Sequence, residues 1–136
     1  MFLSVVIPAY NEEARLPATL ERVFEYLSRR AEPSEILVVN DGSRDRTAEV
    51  ARSFAAARSG GQVRVALLEN PGNRGKGYSV RHGMLKARGE WALFSDADLS
   101  SPIEEFEKLL AAATSGGCDV AIGSRALDRS LIGVHQ

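Results

Sequence analysis

The sequence predicts an α/β fold with a doubly wound, mostly parallel sheet, and two observations carry the prediction. Short β-branched runs alternate along the chain with stretches of helical apolar spacing, the order from which parallel sheets are built. The first two runs are also near-continuously apolar, as strands covered on both faces by helices must be.

Leu3-Ser4-Val5-Val6-Ile7 reads as the first strand, followed by a helix in which Leu20, Val23, Phe24 and Leu27 repeat at i, i+3, i+4, i+7 and Pro17 sits in the tolerant first turn. Glu35-Ile36-Leu37-Val38-Val39 is the second strand. Thr47, Val50, Ala51 and Phe54 mark the second helix, with Asp45 as its N-cap. A third strand, Val63-Arg64-Val65-Ala66-Leu67-Leu68, leads to a third helix from about Gly77 to Arg88 that stops at Gly89 and carries only a thin apolar face of Val80, Met84 and Ala87. Trp91-Ala92-Leu93-Phe94 is the fourth strand. A fourth helix starts at a capping box, Ser101-Pro102-Ile103-Glu104, ahead of Phe106, Leu109 and Leu110, and Asp119-Val120-Ala121-Ile122 reads as the fifth strand. The stretch from Ser124 to Gln136 is polar and basic and shows no terminating element, as expected of a fragment.

Composition narrows the function. With 17 Lys+Arg against 18 Asp+Glu the formal charge is -1, so there is no bulk positive field for nucleic acid or anionic lipid, and any anion must be gripped locally. The one cysteine, Cys118, excludes a disulfide framework and reads as a small core filler. No apolar run reaches the roughly 18–20 residues of a membrane span, and Met1-Phe2-Leu3 lacks the charge of a signal peptide, so the expected location is cytoplasmic. His82 and His135 have no spaced acidic or histidine partner and read as incidental.

Polar residues collect just after the strands, where a doubly wound sheet places its ligand. Neither G-x-G-x-x-G after the first strand nor G-x-x-x-x-G-K-[ST] is present, which excludes a dinucleotide dehydrogenase and a P-loop NTPase. Asp96-Ala97-Asp98 follows an apolar strand, and two carboxylates one residue apart there can turn toward one hard cation, Mg²⁺ or Mn²⁺; the competing reading is a helix-capping loop, a task Ser101 already fills. Asp41, followed by Gly42 and Ser43, can accept from a base N–H or a ribose hydroxyl, or simply close an Asx-turn. Arg74 and Lys76 among glycines 72, 75 and 77 suit a diphosphate, or a solvated loop; Arg125 suits a phosphate, or the surface.

Four segments taken together, Val5-Val6-Ile7-Pro8-Ala9-Tyr10-Asn11-Glu12-Glu13, Val38-Val39-Asn40-Asp41-Gly42-Ser43-Arg44-Asp45-Arg46-Thr47, Asn73-Arg74-Gly75-Lys76-Gly77 and Asp96-Ala97-Asp98-Leu99-Ser100-Ser101-Pro102, resemble family two inverting glycosyltransferases, most closely the polyprenyl-phosphate (dolichyl-phosphate) β-glucosyltransferase branch. Gly123-Ser124-Arg125 is similar to that branch as well. The resemblance implies a GT-A fold, a Rossmann-like three-layer sandwich, with residues 1–136 forming the donor-binding half and the acceptor-binding part lying beyond Gln136.

It further implies that Pro8, Ala9, Tyr10 and Glu12 line base and ribose and that Asp41 hydrogen-bonds the base, with Gly42, Ser43 and Lys76 also at the nucleotide. By the same resemblance Asp96 and Ala97 face the donor, Asp98 with Asp96 binds the metal, and Arg125 meets phosphate charge. Ser100 stands where many relatives carry Gln. The implied donor is UDP-glucose, with GDP-mannose second; the implied acceptor is polyprenyl or dolichyl phosphate, reached by peripheral association at the cytoplasmic face of a membrane. A glycan acceptor with a carboxylate base beyond Gln136, and a non-catalytic nucleotide-binding module, are the alternatives.

Overall fold

The computed structural model describes residues 2–58, 60–95, 120–122 and 132–135. Its elements run β1 (Leu3–Ala9), α1 (Leu16–Ser28), β2 (Ser34–Asn40), α2 (Thr47–Arg58), β3 (Val63–Glu69), α3 (Lys76–Lys86), β4 (Trp91–Phe94), β5 (Val120–Ile122) and β6 (Ile132–His135). They form one sheet in the order β3-β2-β1-β4-β6-β5. The strands β3, β2, β1 and β4 are mutually parallel, from Leu3↔Ser34 to Ala9↔Asn40 between β1 and β2 and from Leu3↔Trp91 to Val6↔Phe94 between β1 and β4.

The far edge differs from a uniformly parallel sheet. The segment 132–135, inside the polar and basic tail in which no strand was read from the sequence, is a strand inserted antiparallel between β4 and β5. The fifth strand is therefore present but does not neighbour the fourth. The fourth predicted helix, Cys118, Asp96, Ala97, Asp98, Ser100 and Arg125 lie outside the described residues.

Burial explains the layers. Every residue of β2 is buried, as its continuous apolar run requires, whereas the edge strand β3 alternates at its start, with Val63 and Val65 inside and Arg64 outside. On one face Leu3, Val5, Ile7, Ile36, Val38 and Leu93 pack against Leu16, Leu20, Val23 and Leu27 of α1 and Ala51 of α2. On the other face Val6, Leu37, Val39 and Phe94 meet Val80 and Met84 of α3 and Ala87 just beyond it. Each fully buried Leu or Ile contributes about 1.5–3 kcal/mol, so the first face supplies most of the apolar stabilisation.

The helices sit on opposite faces because the chain reverses direction across the sheet. The connections β1–α1–β2 and β2–α2–β3 step outward on one side; β3–α3–β4 then returns past β1. That reversal leaves a crevice at the carboxyl ends of β1 and its neighbours, the place where open α/β sheets bind ligands.

Candidate functional site

Three loops leave the carboxyl ends of β1, β2 and β3, and side chains lock them together. Between the first two, Asn11 N–H donates to Ser43 Oγ (3.0 Å), Arg44 N–H to Asn11 Oδ1 (2.9 Å), Glu12 N–H to Thr47 Oγ1 (2.9 Å) and Glu13 N–H to Asp45 Oδ2 (3.3 Å). Asn11 takes a positive φ of 52°, a conformation Asn tolerates better than most residues. Asp45, anticipated as a cap, accepts from the backbone N–H of Thr47 (3.0 Å) and from its hydroxyl, just ahead of α2. Burial pushes the Asp45 carboxyl up, but the hydrogen bonds from Thr47 and Glu13 prevail and leave it below the usual carboxylate value.

Asp41 joins the second loop to the third. Its Oδ1 accepts from Arg74 N–H (2.7 Å) and the Asn70 amide (2.8 Å), and its Oδ2 accepts from Gly75 N–H (2.9 Å). The side chain is 5% exposed. Burial alone would raise its pKa; the N–H of Arg74, the Asn70 amide, the N–H of Gly75 and the Arg74 charge together lower it instead. Asp41 is thus held as an anion at the N-terminus of α3, where the helix dipole favours negative charge. An ionised carboxylate offers roughly four acceptor directions, so three bonds leave one on Oδ2. Neither an Asx-turn nor an open ligand-only aspartate describes it: the residue builds the loop and keeps one acceptor position.

The close approach of these loops explains Gly42. Its φ is +70°, and a Cβ there would lie 2.6 Å from Asn73 N and Gly72 C, both backbone atoms that cannot move aside.

A cleft of about 160 Å³ opens over this cluster, lined by Pro8, Ala9, Tyr10, Glu12, Asp41, Lys76 and Ser79. Six of those seven are residues singled out from the sequence. Tyr10 is 44% exposed at the cleft, and Lys76 holds its ammonium 5.6 Å from the centre of the Phe94 ring. Gly42 and Ser43 do not line the cleft; they join the loops that shape it.

Three contributors went unread in the sequence. Ser79 is fully buried on α3; its hydroxyl donates to Gly75 O (3.0 Å) and accepts from Asn70 Nδ2 (2.8 Å). Asn70, 7% exposed, sits at the centre. His82, read as incidental, brings Nδ1 to 2.7 Å from Asn70 Oδ1. Helical spacing after Lys76 was the available signal for Ser79 and His82, but it names no partner for either.

Comparison with known proteins agrees with this geometry. The family described as Glycosyl transferase family 2 matches residues 4–131. The chain is 38% identical over 145 residues to dolichyl-phosphate beta-glucosyltransferase ALG5D of Trichomonas vaginalis, covering 100% of this chain and 43% of that one. It is 42% identical over 134 residues to the dolichyl-phosphate beta-glucosyltransferase of Drosophila melanogaster, covering 91% and 40%. It therefore spans about two fifths of the length of these relatives. Among solved structures, glucosyl-3-phosphoglycerate synthase from Mycobacterium tuberculosis, in complex with Mn²⁺, UDP-glucose and phosphoglyceric acid, superposes with a TM-score of 0.64 at 25% identity, covering 88% of this chain and 42% of that one. The strand order, the loop cluster beneath a cleft at the strand ends and these matches agree: the chain belongs to glycosyltransferase family 2 and has its GT-A fold.

Proposed function

We propose that residues 1–136 are the donor-binding part of an inverting hexosyltransferase that moves glucose from UDP-glucose to a polyprenyl phosphate such as dolichyl phosphate. The observation that carries this reading is the cleft at the strand ends, in which Pro8, Ala9, Tyr10, Glu12, Asp41 and Lys76 converge. The names of the relatives supply the acceptor class.

In this reading the free acceptor direction of Asp41 Oδ2 receives a base N–H, Tyr10 with Pro8 and Ala9 flanks the base, and Glu12 accepts from ribose. Gly42 and Ser43 keep the loop that presents Asp41, and the Lys76 ammonium meets the diphosphate. Asp96 and Ala97 face the sugar side of the donor, and Arg125 meets a phosphate of donor or acceptor.

No three His, Cys, Asp or Glu side chains gather as a metal site among the described residues. The donors of Asp96-Ala97-Asp98 are hard carboxylates, the chemistry Mg²⁺ or Mn²⁺ requires, and they follow Ser95, whose N–H donates to Val6 O of β1 at 2.9 Å just past the end of β4. Asp98 and Asp96 fit the role of metal ligands on that ground. Such an ion supplies positive charge across the two phosphates and so stabilises the departing nucleoside diphosphate.

The acceptor needs little help to react. A phosphate monoester has a second pKa near 6 and is largely dianionic at neutral pH, so it is already a nucleophile. Its oxygen forms the new bond to the anomeric carbon from the face opposite the diphosphate, the old C–O bond breaks, and its electron pair leaves with the nucleotide. Configuration inverts, and no general base is required. No helix among the described residues is long and apolar enough to cross a membrane; in our reading the reaction runs at the cytoplasmic face, with the chain associating peripherally.

Isothermal titration of this chain with UDP, UDP-glucose and GDP-mannose, each with Mn²⁺ and with EDTA, tests the donor site. Metal-dependent uridine binding is expected. Binding of GDP-mannose alone would move the reading to mannosyl transfer, and binding of none would overturn it. Release of radiolabelled glucosyl lipid by the full-length protein, with polyprenyl phosphate as acceptor, tests the transfer itself.

A further inference from the structure

We infer that His82 is a positioning residue of the nucleotide cleft: its Nδ1–H fixes the side-chain amide of Asn70, and through that amide the direction of the Asp41 carboxylate. The inference rests on the nucleotide-binding reading above for its consequence, and on the hydrogen-bond geometry for its cause.

The polarity of the network admits one arrangement. Asp41 Oδ1 lies 2.8 Å from Asn70 Nδ2 and, ionised, can only accept. Ser79 Oγ, also 2.8 Å from Nδ2, gives its own hydrogen to Gly75 O and so accepts as well. The Asn70 amide must therefore turn Nδ2 toward Asp41 and Ser79, which leaves its Oδ1 facing His82. A carbonyl oxygen cannot donate, so His82 Nδ1, at 2.7 Å, carries the proton.

His82 is well placed to enforce that choice. It lies three residues after Ser79 on α3, one turn along the same side of the helix, so a single helix face offers both an acceptor and a donor to the two ends of one amide. The Tyr78 ring meets the His82 ring edge to face with centroids 6.4 Å apart, limiting rotation of the imidazole. Without a donor at position 82 the amide, 7% exposed, loses the partner of its oxygen, and the turned orientation, with oxygen against carboxylate, comes closer in energy. Asp41 would then lose the side-chain bond that aims Oδ1, its bonds from the Arg74 and Gly75 N–H groups would open more often, and the alignment of Oδ2 on the cleft would go with them.

Two substitutions separate this role from simple packing. His82→Asn keeps an N–H near the position of Nδ1; His82→Leu has the same branched heavy-atom outline as Asn, with bulkier methyl groups, and no donor. We expect ¹⁵N spectra at mildly alkaline pH to show the Nδ1–H tautomer in the native chain. UDP affinity in the presence of Mn²⁺ should fall about tenfold in His82→Leu and stay within about threefold of native in His82→Asn, the size of one lost hydrogen bond to a charged network. Hydrogen exchange at the Arg74 and Gly75 amides should accelerate in His82→Leu alone. The proposal is overturned by an Nε2–H tautomer, by native UDP affinity in His82→Leu, or by equal losses in both variants. If the native chain binds no UDP, the nucleotide reading fails by itself; exchange at Arg74 and Gly75 then still decides the relay, since rates unchanged in His82→Leu would overturn it and a rise confined to His82→Leu would support it.

Discussion

Helix α3 is held at its two ends by carboxylates from opposite ends of β2, Glu35 within it and Asp41 just past it, and the two ends differ. Glu35, the second residue of β2, accepts from the Ser4 hydroxyl (2.6 Å) and from Arg88 N–H (2.7 Å), just past the last turn of the helix, while Gly89 N–H closes the group by donating to Ser4 Oγ (2.8 Å). Asp41, one residue beyond β2, takes the N–H groups of Arg74 and Gly75 just before the first turn. Both are buried, Glu35 at 1% exposure and Asp41 at 5%. Glu35 is satisfied by a neighbouring strand and a turn. Asp41 is satisfied by two backbone N–H groups and by the Asn70 amide, whose other partners are Ser79 and His82, and it borders a cleft. Burial of a carboxylate thus does not by itself mark a site; an anion held at a helix N-terminus with an acceptor direction left over does.

Neutralising each carboxylate in turn separates the two ends. Asp41→Asn turns an amide N–H₂ toward backbone donors and should cost about 2–3 kcal/mol in denaturant unfolding, together with at least tenfold in UDP affinity. Glu35→Gln should cost about 1–3 kcal/mol, with UDP affinity within about twofold of native because the two ends act independently. Loss of nucleotide binding in Glu35→Gln would show that the ends are coupled and that α3 moves as one lever.

The middle of α3 gives the next largest effect. A Cβ on Gly83 would meet the Val6 and Val39 side chains, so Gly83→Ala should destabilise by about 1–2 kcal/mol despite its better helix propensity, measured by thermal unfolding. A neutral or stabilising result would mean that the polar clamps, and not the close packing, set the height of the helix over the sheet.

A smaller contribution is titratable. The folded Asp41 and Asp45 carboxyls lie below their ordinary value of 3.8, so as pH falls the unfolded chain takes up protons first. Their stabilisation is complete above that value and is lost as pH drops through the folded pKa values. Stability measured against pH should therefore fall below about 4, and Asp41→Asn should flatten the decline. The smallest expected change is Tyr10→Ala. Its half-exposed ring should alter stability by less than about 0.5 kcal/mol while weakening UDP binding several-fold; unchanged affinity would move the base away from Tyr10.

Much of this was legible in the sequence because it is local. The apolar runs of β1 and β2, the periodicity of Leu20, Val23 and Leu27, and the grouping of Pro8, Ala9, Tyr10, Glu12, Asp41 and Lys76 after strand ends all come from short-range pattern and one topological rule. The thin face of Val80, Met84 and Ala87 was legible too, but its remedy was not. Glu35 and Arg88 are 53 residues apart, and nothing in either neighbourhood announces the other. Strand β6 was missed for a related reason. Ile132-Gly133-Val134-His135 is too short to show alternation, and the open edge of β4 is the feature that makes it a strand. Network partners such as Asn70 and His82 are invisible for as long as the register of loop against helix is unknown.

The arrangement of the sheet has a consequence for how this cleft can be reused. Among the described residues, those that line it fall between Pro8 and Ser79, in three βα units that are consecutive in the chain and adjacent in space. The antiparallel pair β6–β5 lies on the opposite side of β4 from β1. The three units form one contiguous group in chain and sheet alike. In the proposed reading these loops hold base and ribose while the chain that meets the acceptor varies, so that one nucleotide grip would serve different second substrates.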